Sequence, residues 1–96
     1  MSMTIPAIRI VYSDGTTDDV MLTAGAQGEA EDKAVREGWN LGGTRHNLYA
    51  VYWQLRHDRR TTLPFEAWCA NVVTATQTTM KVGDDPFDGA QAEPAN

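Results

Sequence analysis

The sequence predicts an α+β domain: an N-terminal β-hairpin packed on a small bundle of about three helices, followed by a disordered acidic tail. Three observations predict it. Apolar and polar residues alternate on both sides of Asp14-Gly15, a strong hairpin turn signal. Leu48, Val51, Tyr52 and Leu55 recur at i, i+3, i+4 and i+7, which is one face of a helix. Pro64 then opens a second aromatic segment, in which Phe65, Trp68 and Val72 sit at i, i+3 and i+7.

In "AIRIVYSDGTTDDVML" the hydrophobic pattern decides the hairpin register. A two-residue loop would put Ile8 and Ile10 on one face with Asp19 and Met21. A three-residue loop, Ser13-Asp14-Gly15 with Gly15 left-handed, pairs even positions with even. That face then carries Ile8, Ile10, Tyr12, Val20 and Leu22, with Asp18 near the open end. The second register buries more apolar surface and is preferred.

A helix is expected from near Ala26 to Gly38, with Thr23 as an alternative cap. Its apolar face is thin: Ala26, Ala30, Ala34 and Val35. Trp39 is placed to anchor its end, and residues 40–43 form a loop. Thr44 is the expected N-cap of the main helix, over residues 45–58. Tyr49 and Trp53 widen its apolar stripe, and Arg45, Gln54, Arg56 and Asp58 fall largely outside it. The helix after Pro64 is expected to run to about residue 73. It should end in the Thr-rich run 74–79, where helix propensity is poor.

With 96 residues, one domain is the expected count: 1–81 folded and 82–96 the tail. The tail holds Asp84, Asp85, Asp88 and Glu93 and no Lys or Arg, and it has one large apolar residue, Phe87. That is too little apolar surface to order a segment. It accounts for four of the thirteen acids, so residues 1–81 carry nine acids against all eight bases. A nearly neutral fold lacks the positive excess that phosphate binding needs, and nucleic acid is not an expected partner. No stretch approaches the roughly 20 apolar residues of a membrane span, and no signal peptide is read at the N-terminus. A cytosolic, soluble protein is expected.

The residues that carry chemistry do not converge. Cys69 is the single cysteine, which leaves no intramolecular disulfide, and no base accompanies it in sequence. His46 and His57 are about 16 Å apart along a helix axis, too far to hold one ion. Asp14, Asp18 and Asp19 lack the spacing of a calcium loop. The group Arg56-His57-Asp58-Arg59-Arg60 suits the C-terminal end of a helix, where positive charge is favourable. No phosphate loop, carboxylate pair or nucleophile elbow is present, so no enzyme, metal or cofactor is expected. An interaction module is what remains.

The order "YSDGTTDDV", "LYAVYWQLRHDRR", "LPFEAWCANV" and "DDPFDGAQAEP" resembles the small tail assembly chaperones of long-tailed, siphovirus-like phages of actinobacterial hosts, over about residues 5–90. The Thr run 74–79 departs from that pattern, as does the lack of a more acidic stretch after the Phe-x-x-Trp helix. The resemblance implies a non-enzymatic protein of the infected host cytoplasm, absent from the mature virion. It would bind the helical, aggregation-prone tape measure protein and keep it soluble while tail tube subunits polymerise. It also leaves room for a frameshift-extended form of the chain as a second partner. By position, Tyr49, Trp53, Arg56, Phe65 and Trp68 are the candidate partner surface, although the aromatics also have core spacing and one of Trp53 and Trp68 is expected in the core. A structural tail or connector subunit is the alternative reading. A helix-turn-helix regulator built on residues 45–58 and 64–73 is a third.

Overall fold

The structure is a computed structural model that describes residues 3–82. Its elements in chain order are β1 (Met3–Tyr12), β2 (Thr17–Val20), α1 (Ala24–Glu37), α2 (Thr44–His57), α3 (Phe65–Ala70) and β3 (Val72–Val82). Among the described residues the strands form one antiparallel sheet in the order β2-β1-β3, so the first strand is central. The α+β reading holds, with one strand more than the sequence predicted. The expected acidic tail lies outside the described residues apart from Val82, which ends β3 opposite Met3.

The hairpin adopts the even-with-even register. Ile8 pairs with Val20 and Ile10 with Asp18. Gly15 has φ +87°, a left-handed conformation that costs glycine little. Asp14 Oδ1 accepts from the Thr16 N–H and Oγ1, which closes the turn from inside and draws the Asp14 carboxyl below its ordinary value. Asp18 lies beside the turn, not at the open end as expected. Its carboxylate accepts from Tyr12 Oη (2.7 Å) and Arg60 Nη2 (2.9 Å).

The core sits between the inner face of β1–β2 and the helices. Ile10, Val20, Val51, Tyr52, Leu55 and Trp68 form it, with Ile8, Leu22, Leu48 and Val72 packed around them. α1 meets α2 through Ala26, Ala30 and Ala34, all fully buried, as their small side chains let two helices approach closely. Val35, expected on that face, is 68% exposed. α1 begins two residues earlier than expected, since Thr23 Oγ1 accepts the Ala26 N–H and caps it. α2 is capped by Gly43, and Thr44 is already helical.

Gln54 corrects the predicted stripe on α2. It is 4% exposed, not outside the core. Its Oε1 accepts from Thr23 Oγ1 (2.8 Å) and its Nε2 donates to Asp58. Both ends of the amide are satisfied, which is what makes its burial tolerable. It ties the start of α1 to the end of α2.

The largest difference is at residues 71–82. α3 stops at Ala70 and the chain runs into an eleven-residue strand. The threonines that weaken a helix favour a strand, because a β-branched side chain packs well on a pleated surface. Val72 still packs on the core, as the helical spacing predicted. It does so from a strand opposite Tyr12, after a register shift between Val11 and Tyr12.

Candidate interaction surface

The aromatic residues of α2 and α3 do not form one exposed strip. They form a chain of ring contacts that runs from the surface into the core. At its outer end Trp39, Tyr49 and Phe65 are half-buried. Their ring centroids lie 6.0 Å (Trp39–Tyr49), 5.7 Å (Trp39–Phe65) and 5.1 Å (Tyr49–Phe65) apart. Tyr52 comes next, 5.3 Å from Phe65 and 5.6 Å from Trp68. Trp68 is 2% exposed, and its Nε1–H donates to Tyr12 Oη (3.1 Å). Offset and edge-to-face contacts of this kind each contribute roughly 0.5–1.5 kcal/mol beyond area burial.

Local structure places each ring. Gly38 ends α1 in a left-handed conformation (φ +74°), and the Trp39 N–H returns to the Ala34 carbonyl. That turn lays the Trp39 ring against α2. Pro64 starts α3 and sets Phe65 at its first turn. The Tyr52 hydroxyl donates to the Leu63 carbonyl, which fixes the α2–α3 loop over the ring.

Three cations stand around these rings. Lys33 Nζ is 5.7 Å from the Tyr49 centroid, Arg45 Cζ 5.9 Å from Trp39, and Arg56 Cζ 5.9 Å from Tyr52. Arg45 also pairs with Glu66 (2.8 Å), and Lys33 with Glu37 (3.5 Å). Arg56 Nη1 donates to Tyr52 Oη (2.9 Å). Its guanidinium keeps further donors for a carboxylate on another molecule.

Of the five residues singled out in the sequence, Tyr49 and Phe65 lie at the outer end of this cluster and Arg56 flanks it. Trp68 is core and reaches the surface only through its neighbours. Trp53 joins none of these ring pairs. It stacks on His57 (5.0 Å, interplanar angle 10°) and covers Gly25 at the start of α1. Lys33, Arg45 and Trp39 were missed as members. Arg45 meets Trp39, which lies before α2, and Lys33 meets Tyr49 from another helix, so no spacing within one helix reveals either contact.

No family model matches this sequence, and neither curated proteins nor solved structures give a significant match.

The other candidates for chemistry are dispersed. His46 Nδ1 accepts the Gly42 N–H (2.7 Å) beside the start of α2. Cys69 is half-buried, and burial, helped by Glu66, pushes its thiol above the ordinary value. Among the described residues no three His, Cys, Asp or Glu side chains gather as metal ligands. What the arrangement offers is a rigid aromatic surface with cations at its rim, suited to an apolar segment that carries acids beside its apolar residues.

Proposed function

We propose that this chain is a phage tail assembly chaperone, non-enzymatic, which binds the tape measure protein and keeps it soluble during tail assembly. The observation that carries the reading is the half-buried cluster Trp39–Tyr49–Phe65 with Lys33, Arg45 and Arg56 around it. Tyr, Trp and Arg are the residue types that dominate binding energy at protein interfaces. A long helix with apolar stripes presents side chains at i, i+3 and i+4, which a surface of this kind can cover. The motif order described above supports the same reading.

A DNA-binding reading draws no support from α3. That helix has six residues, Glu66 is its only charged one, and Trp68 is buried.

The test is co-expression with the tape measure protein of the same phage. The expected result is that the tape measure protein stays soluble and co-purifies with this chain. Trp39→Ala and Arg56→Ala, each checked for an intact fold by circular dichroism, should weaken the association by about tenfold or more, which corresponds to about 1.4 kcal/mol. A tape measure protein equally soluble alone, with no co-purification, would overturn the proposal. Stoichiometric amounts of this chain in purified virions would favour a structural tail subunit instead.

A further inference from the structure

The two edges of the sheet are built differently. β2 is four residues long and carries Asp18 and Asp19, devices that keep an edge from pairing with another strand. β3 is eleven residues long, has no proline, and carries a single charge, Lys81, near its end. Among the described residues nothing pairs with its outer edge.

The helix-side face of β3 is also uncovered. Ala75 and Gln77 lie opposite Ile10 and Ile8, and both are exposed. Beside them runs a groove of two adjoining lobes, about 450 and 490 Å³, which share Ile8, Leu22, Gln27 and Gln77. The helices roof β1 and β2, and beyond Val72 they leave this face of β3 bare.

We infer that β3 is a dimerisation strand: two copies of this chain pair antiparallel along it and form one continuous six-stranded sheet. Self-pairing fits the strand's composition. Residues 74–79, Thr-Ala-Thr-Gln-Thr-Thr, offer no charge to select a charged partner, and cross-strand threonine pairs are favourable. A two-fold axis near Gln77 sets Thr76 opposite Thr78 of the second copy and places position 81 of the two strands at opposite ends. A parallel pairing would align them. The same pairing extends the floor of the groove with the second copy's strand.

Sedimentation velocity on the full chain over a dilution series tests this. The expected species has twice the 10.6 kDa chain mass. The double variant Thr76→Lys/Gln77→Lys places like charges at the axis on two exposed side chains, and should give a folded monomer. A cysteine scan, Thr76→Cys, Gln77→Cys and Thr78→Cys each in a Cys69→Ser background, should give an intermolecular disulfide at the position nearest the axis. A wild-type chain that stays monomeric overturns the inference. So does a folded lysine variant that stays dimeric. If the lysine variant does not fold, the cysteine scan decides, and no cross-link at any of the three positions overturns it.

Discussion

At the Tyr12 hydroxyl three elements meet. It donates to Asp18 on β2 and accepts from the Trp68 indole on α3. Arg60, beyond the end of α2, closes the set on Asp18 (2.9 Å). Burial, reinforced by the bond to Asp18, pushes the Tyr12 phenol up to about 12 from 10.0. A raised value means that the fold favours the neutral phenol. Its contribution is complete below pH 10 and is lost as the pH rises from 10 through 12. Alkaline titration of phenolate absorbance, taken as the difference between wild type and Tyr12→Phe, should show this group ionising well above the ordinary range. A group ionising near pH 10 in the folded protein would contradict the hydrogen bonding described here. Tyr12→Phe should also cost about 1–3 kcal/mol at neutral pH, because it leaves the buried Trp68 N–H without its acceptor. By contrast Arg9 holds the Asp19 carboxyl below its ordinary value across the strand pair, at bond lengths of 2.8 and 2.9 Å. That pair is solvent-exposed and contributes little.

At the scale of elements, the two long helices end in the same way with different residues. Beyond α1, Gly38 takes the left-handed position, and beyond α2 Arg59 takes it with φ +60°. The Arg60 N–H bonds to the Leu55 carbonyl as the Trp39 N–H does to that of Ala34. A side chain at such a φ costs roughly 1–2 kcal/mol, part of which glycine's freedom in the unfolded chain offsets. Arg59→Gly should therefore stabilise the fold by about 0.5–1 kcal/mol and raise the Tm by several degrees; a lower Tm would mean that the Arg59 side chain does work not visible in its contacts. The elements differ in how far the sequence reveals them. The hairpin register was legible because slipping it by one residue would bury Asp19. The α2 face was legible because Val51, Tyr52 and Leu55 keep strict helical spacing, yet Gln54 looked like surface because its partner, Thr23, lies 31 residues away. β3 was not legible. Its Thr-rich run shows no alternation of apolar and polar residues, since neither face of that strand is well covered. Of the candidate surface, Tyr49, Phe65 and Arg56 could be named from spacing. Trp53 has the same spacing and differs only in what α1 lays over it.

At the scale of the whole molecule, the two ends of the described residues close on each other. β3 pairs with β1 from Val82 opposite Met3 to Val72 opposite Tyr12, so it lies along the full length of the first strand. The sequence placed residues up to 81 in the folded domain but gave 74–79 no element of their own. In the structure they form a flank of the central strand. Without β3, the central strand becomes an edge and Ala7, 3% exposed between its neighbours, loses one flank. What remains is a two-stranded hairpin under a thin helical layer, and a hairpin needs a third strand or firm helix packing to persist. A domain of this size has a narrow margin to begin with. A chain ending at Asn71 should therefore lose its cooperative thermal transition, read by circular dichroism and by tryptophan fluorescence. Retention of a cooperative transition near the full-length Tm would show that β3 is an accessory strand, and that the hairpin-and-helix unit is the true folding domain. The same pairing predicts slow folding for so small a chain. Contacts such as Met3–Val82 join residues at opposite ends of the described fold, and the entropy of closing that loop is lost before the strand pairing compensates for it.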